Sequence, residues 1–98
     1  MTPDEVKRSL PALAGWDAQL GSTQIHKHYR FQDFKTAMRF VNAMADLAEA
    51  EGHHPDFALH SWNTVDVTLS THAIGGLSEN DFIVAAKIDQ LPAAAAGR

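Results

Sequence analysis

Length, composition and charge narrow the possible function classes before any motif is considered. The chain has 98 residues, enough for one domain, and its 45% hydrophobic and 20% charged residues are typical of a globular protein. A formal net charge of −4 with eight scattered Lys and Arg residues argues against a nucleic-acid-binding surface, and the absence of cysteine excludes disulfides and thiol catalysis.

The first third of the chain is predicted to form a helix and a β-hairpin. Thr2 and Glu5 match a capping box, with Pro3 suited to the first helical turn. Residues 16–20, WDAQL, and 24–31, QIHKHYRF, are typical of two strands joined by a turn at Gly21-Ser22. In the second strand, one face carries Ile25, Lys27, Tyr29 and Phe31. The opposite face carries Gln24, His26, His28 and Arg30. This alternation predicts a half-buried strand, and we interpret His26 and His28 as solvated.

The clearest element is a long helix over residues 34–51, FKTAMRFVNAMADLAEAE. Its apolar side chains recur every three or four positions, which is the spacing of one helical face. Asp33 is the predicted N-cap, Gly52 ends the helix, and Pro55 prevents it from resuming.

The second half is predicted to add a hairpin and a last helix. Phe57–Trp62 and residues 65–70, VDVTLS, are the strands, with a turn at Asn63-Thr64, and Ser78 with Asp81 matches a capping box that opens the helix. The domain is expected to span residues 1–91, followed by a disordered tail over 92–98. The order α-β-β-α-β-β-α predicts an α+β fold, with helices on one face of a four-stranded antiparallel sheet.

Four polar residues around these elements indicate acid–base chemistry. Glu49 lies in the last turn of the long helix, where the helix dipole disfavours a carboxylate, and His53 and His54 follow side by side. His72 comes just after the last strand, and histidine exchanges protons near neutral pH. Adjacent residues in extended chain point to opposite sides, so the pair is poorly arranged to chelate one metal, and we predict no metal site. Surface or capping roles are the alternative for each residue, and His60 stays unassigned.

The spacing Glu49-x-x-x-His53-His54-Pro55, then Trp62, His72 and Asp81, resembles the signature of the pterin-4a-carbinolamine dehydratases. The segments YRFQDFKTAMRFVNAMADLAEAEGHHPDF and VTLSTHAIGGLSENDF extend the resemblance over roughly residues 4–90. The resemblance implies a lyase that dehydrates 4a-hydroxytetrahydropterin to quinonoid dihydropterin in tetrahydropterin recycling, with no metal or organic cofactor.

The resemblance also implies roles for the polar residues. His54 and His72 are expected to act as acid and base, and His53 as a third pocket histidine. Glu49 is expected to hold a histidine, and Asp81 either to orient His72 or to cap its helix. Phe57 or Trp62 would form an apolar wall for the flat pterin. Asn80 and Gly52 depart from the residues that many family members carry at these positions.

A binding role on the same fold is the rival hypothesis. Some members of the family serve as dimerisation cofactors or assembly factors, and degenerate relatives tend to lose the histidine set, which this chain retains. We therefore favour the enzyme and expect a homodimer or homotetramer with a possible protein partner. No stretch approaches the ~18 apolar residues of a membrane span, and the N-terminus lacks the apolar core of a signal peptide, so we expect a cytoplasmic protein.

Overall fold

The computed structural model describes residues 1–97 and has the predicted α+β fold, with order helix, two strands, helix, two strands, helix. The strands are β1 Asp17–Gln19, β2 Gln24–Arg30, β3 Asp56–His60 and β4 Thr64–Leu69, arranged β1-β2-β4-β3 with every neighbour antiparallel. The helices are α1 Pro3–Ser9, α2 Phe34–Glu51 and α3 Glu79–Asp89, with 3-10 turns at Leu10–Ala12, His72–Ile74 and Pro92–Ala96. None of the helices in this described part is both long and apolar enough to cross a lipid bilayer.

The ends of α2 lie where the sequence predicts them. The Asp33 carboxylate accepts a hydrogen bond of 2.8 Å from the Thr36 N–H, and this bond lowers the pKa of Asp33. Gly52 ends the helix at φ +61°, a left-handed conformation that glycine adopts without a steric penalty. The capping box between Thr2 and Glu5 is also present at α1. These local hydrogen bonds place His53 and His54 at the point where α2 meets β3.

One face of the sheet packs on the helices to form the core. Phe40 of α2 is fully buried, and its ring centroid lies 4.5 Å from that of Tyr29 and 5.2 Å from that of Phe31. The other large buried side chains are Val6, Ile25, Met44, Val65, Val67, Leu69, Leu77 and Ile88. Truncating a buried aromatic such as Phe40 to Ala costs about 3–5 kcal/mol, so this layer dominates the stability of so short a chain.

Lys27 of β2 lies on the sheet face that the helices cover, as the alternation of residues along this strand predicts. Lys27 Nζ lies 2.8 Å from Asp89 Oδ1 and donates to the Ala14 carbonyl at 3.0 Å. Asp89 also accepts hydrogen bonds from the Tyr29 hydroxyl and from Trp16 Nε1. Burial and the bond to Asp89 raise the pKa of Tyr29 far above its usual value, so the phenol stays protonated. This network fixes the end of α3 to the sheet.

The β3–β4 turn differs from the prediction. Ser61 and Trp62 have φ values of +53° and +59°, so strand β3 ends at His60 and does not reach Trp62. Asn63 is held against the end of β2, where its side-chain amide donates to the Phe31 carbonyl at 3.0 Å. Thr64 consequently belongs to β4, and the predicted turn at Asn63-Thr64 is wrong.

A disordered tail is predicted over residues 92–98, of which the structure describes residues 92–97. Pro92–Ala96 form a 3-10 turn, and the Ala94 side chain is buried against the core. Alanine loses no side-chain rotamer freedom on packing, so even a short alanine run can be ordered at low cost. Arg98 lies outside the described residues.

Candidate active site

The two adjacent histidines lie where the chain leaves α2 and enters β3. Gly52 reverses the chain direction, and the His53 N–H donates to the Ala48 carbonyl at 3.2 Å. Pro55 then leads directly into Asp56, the first residue of β3. The two imidazoles bind different carboxylates, as expected of adjacent side chains that diverge.

His53 is held by a buried carboxylate. Its Nε2 lies 2.6 Å from Asp81 Oδ1, with the His53 side chain 18% exposed and that of Asp81 0% exposed. An ionised carboxylate only accepts hydrogen bonds, so Nε2 carries the proton and donates it. In the neutral imidazole, Nδ1 then keeps a free lone pair, which is the arrangement of a positioned base.

Asp81 uses its second oxygen to organise the start of α3. Oδ2 accepts hydrogen bonds from the Ser78 N–H at 2.9 Å and from the Thr71 hydroxyl at 2.8 Å. The Ser78–Asp81 capping box expected from S-x-x-D is therefore present. The carboxylate that caps this helix holds His53 rather than His72, because α2 ends opposite the start of α3.

His54 lies on the outer side of the same turn. Its Nε2 is 3.3 Å from Glu49 Oε2, and both side chains are largely exposed, at 63% and 80%. Phe57 borders the same small hollow of about 140 Å³, whose remaining lining is Met44, Ala45, Ala48 and Pro55. The hollow therefore offers an apolar wall beside one imidazole and one carboxylate.

His72 lies at the beginning of the His72–Ile74 turn and is exposed. Its imidazole has no hydrogen-bonding partner among residues 1–97, and it borders a separate hollow of about 220 Å³ with Thr71 and Gln24. Thr71, the preceding residue, donates to Asp81, so His72 is tied to His53 through two intervening side chains. No role for Thr71 was predicted from the sequence, where its only signal is its position next to His72.

Trp62 is not brought to this region. It lies in the β3–β4 turn, beyond the end of β3 that is remote from the histidine pair, and its side chain is 60% exposed. There it lines a groove with His28, Arg30 and His60. Of the two aromatic residues proposed as a pterin wall, only Phe57 adjoins a site histidine.

Comparison with known proteins assigns the chain to a family. Residues 1–91 match the family model described as pterin 4 alpha carbinolamine dehydratase. The chain belongs to this family. The predicted resemblance is confirmed, and since a dehydratase is a hydro-lyase, the chain is a member of a hydro-lyase family.

Individual relatives support the assignment. The chain is 45% identical over 93 residues to pterin-4-alpha-carbinolamine dehydratase 2, mitochondrial, of Arabidopsis thaliana, covering 93% of this chain but 50% of that protein. The solved structure of the transcriptional coactivator/pterin dehydratase from Brucella melitensis superimposes with a TM-score of 0.85 at 38% identity, covering 92% of this chain and 95% of that one. A pterin dehydratase-like RuBisCO assembly factor of the alpha-carboxysome superimposes with a TM-score of 0.68 at 26% identity, covering 79% and 88%.

Proposed function

We propose that this protein removes water from 4a-hydroxytetrahydropterin, giving the quinonoid dihydropterin in tetrahydropterin recycling. Family membership supports the reaction class. The observation that carries the proposal is the His53–Asp81 pair, in which a buried carboxylate fixes one histidine tautomer. His54 directly follows His53 in the chain, and His72 directly follows Thr71, which donates to Asp81.

The reaction needs both an acid and a base next to one bicyclic ring. The C4a–O bond breaks and the hydroxyl leaves as water after gaining a proton. The proton on N5 departs, and its electron pair forms the new N5–C4a double bond. No redox change occurs, and the protons balance. Positioned proton transfer of this kind contributes roughly 10²–10⁴-fold to a rate.

The geometry supports a division of roles among the three histidines. The Nδ1 lone pair of His53 is the positioned base, because Asp81 holds the proton on Nε2. His54 and His72 are exposed imidazoles that can supply a proton to the departing hydroxyl. Glu49 orients the His54 imidazole through the contact of 3.3 Å between Oε2 and Nε2, and Phe57 provides the apolar wall.

The proposed assembly is a homodimer or homotetramer. Phe34 and Met38 of α2 are exposed apolar side chains one helical turn apart, at 51% and 36%. Large apolar side chains in such positions are suited to contact between copies of a chain. We place the protein in the cytoplasm, whereas the name of the Arabidopsis relative specifies the mitochondrion.

The decisive experiment measures dehydration of freshly generated 4a-hydroxytetrahydropterin by its ultraviolet change. His53→Ala, His54→Ala and His72→Ala are compared with wild type and with Asp46→Ala, which removes an exposed carboxylate one turn before Glu49. We expect losses of roughly 10²–10⁴-fold in the variant lacking the base and in the variant lacking the acid, and none in the control. Wild-type turnover in a folded histidine variant would remove that residue from the mechanism.

A binding or assembly role is the second candidate function. It is favoured by the likeness to the RuBisCO assembly factor of the alpha-carboxysome, which is itself a pterin dehydratase-like protein. Absence of any acceleration by folded, oligomeric wild-type protein would support this role over the dehydratase.

A further inference from the structure

A second group of polar side chains lies on the face of the sheet that the helices do not cover. His26 and His28 of β2 are two residues apart and share this face, and His28 is paired in register with Asp66 of β4. His60, at the end of β3, joins the same group through Asp66. One potential ligand atom from each of His26, His28 and Asp66 lies within 4.8 Å of the other two.

Asp66 determines the tautomer of His28. The Asp66 carboxylate contacts His28 Nδ1 through one oxygen and His60 Nε2, at 2.8 Å, through the other. A carboxylate only accepts, so the proton of neutral His28 lies on Nδ1. The Nε2 lone pair of His28 consequently points away from Asp66.

That lone pair faces a second imidazole. His28 Nε2 and His26 Nε2 are 3.1 Å apart, and His26 Nδ1 lies 2.9 Å from the Thr68 hydroxyl. A hydroxyl can donate or accept, so Thr68 accommodates either tautomer of His26. When the Thr68 hydroxyl accepts from Nδ1–H, both Nε2 atoms carry lone pairs, and the two atoms are 3.1 Å apart.

We propose that His26 Nε2 and His28 Nε2 bind one divalent transition-metal ion, with Zn²⁺ the ion of choice. Two nitrogens that ligate one tetrahedral zinc at 2.0–2.1 Å are about 3.3 Å apart, close to the 3.1 Å found here. The ion displaces the proton that the two Nε2 atoms share. That proton moves to His26 Nδ1, and water molecules complete the coordination. A carboxylate on the far nitrogen, as Asp66 is on His28, is the usual support of a ligating histidine.

The local charge also favours a cation. Asp17 is paired in register with His26, so its carboxylate and that of Asp66 belong to the same face as the two imidazoles. The cluster shares no residue with the candidate active site, so this proposal does not depend on the dehydratase activity.

The test is a calorimetric titration of the full chain with Zn²⁺ alone. Two double variants that each remove two imidazoles are compared: His26→Ala/His28→Ala and the matched control His54→Ala/His72→Ala. We expect one Zn²⁺ per chain in wild type and control, and an affinity at least about tenfold weaker in His26→Ala/His28→Ala. The melting temperature of wild type and control should rise with zinc, and that of His26→Ala/His28→Ala should not.

A third variant separates this site from an accidental pair of histidines. Thr68→Val keeps the side-chain shape but cannot accept the His26 Nδ1–H, so we expect about tenfold weaker zinc binding with an unchanged melting temperature in the absence of zinc. No zinc binding by wild type, full binding by His26→Ala/His28→Ala, or loss of binding in the control double variant would each overturn the proposal. Wild-type affinity in Thr68→Val would overturn the assigned coordination.

Discussion

Two of the histidine–aspartate pairs within residues 1–97, His53–Asp81 and His28–Asp66, differ mainly in burial. His53 and Asp81 are 18% and 0% exposed, whereas His28 and Asp66 are 67% and 25% exposed. Both aspartates accept more than one hydrogen bond, and both fix a histidine tautomer. The difference shows that the same two residue types can form a buried support in one place and a solvent-accessible polar cluster in another.

Burial decides whether water can take over the hydrogen bonds of each carboxylate when that carboxylate is removed. Asp81 satisfies donors of Thr71, Ser78 and His53, which water reaches poorly. Asp66 faces solvent: its partial burial works to raise its pKa, but the hydrogen bonds and charges of His28 and His60 outweigh this and lower it. Loss of Asp81 should therefore disrupt the fold more than loss of Asp66.

The largest expected effect tests this contrast in stability. Asp81→Ala leaves several buried donors unpaired, each costing about 1–3 kcal/mol, so we expect a loss of about 3 kcal/mol or more in the free energy of unfolding. Asp66→Ala should cost less than about 1 kcal/mol. Urea denaturation of both variants measures the difference, and equal losses would contradict the assigned roles of burial.

A subtler change tests whether Asp81 acts through His53. Asp81→Asn keeps the shape but lets the amide donate, so His53 is no longer held in one tautomer. We expect kcat for dehydration to fall about 10²-fold with a smaller change in KM and a shifted pH–rate profile. Asp46→Asn, an exposed change on α2, is the control; a purely structural Asp81 would leave the pH profile of the remaining activity unchanged.

The two aromatic residues at opposite ends of β3 provide a third comparison. Phe57 adjoins His54, whereas Trp62 lies in the far turn. Phe57→Ala should raise KM for the pterin by about tenfold, corresponding to one lost apolar wall, while Trp62→Ala leaves KM unchanged. The reverse result in steady-state kinetics would restore Trp62 as the pterin-binding residue.

The smallest effect is expected at an exposed carboxylate with only local partners. Asp33 caps α2, and its hydrogen bond to Thr36 lowers its pKa below the usual value. Since the folded-state pKa is lower than the unfolded one, its stabilising contribution is complete above about pH 4 and is lost as the pH falls through the folded-state pKa. Asp33→Ala should lower the melting temperature by a few degrees at pH 7, and this difference should shrink in acid. Thermal denaturation of both proteins measures this difference, and an equal difference in melting temperature at pH 7 and in acid would contradict the capping role of Asp33.

Features decided by neighbours along the chain could be predicted from the sequence. The caps at Thr2, Asp33 and Ser78 form hydrogen bonds to residues three positions away, and Gly52 supplies a left-handed conformation by itself. The alternation in β2 correctly placed Lys27 on the covered face. These patterns, with the apolar stripe of α2, also predicted the α+β fold and the segment that carries His53 and His54.

Only the tertiary structure decided which partners the polar side chains contact. Asp81 and His53 are 28 positions apart, and His28 and Asp66 are 38 apart, so their contacts depend on how α2 meets α3 and on the register of β2 with β4. The turn that moves Trp62 away from the site depends likewise on Asn63 bonding to the end of β2. The sequence by itself determined the elements and the residue types available for proton transfer, because short-range hydrogen bonds and periodicity act locally. Which carboxylate supports which histidine depended on packing between distant segments, which no local pattern encodes.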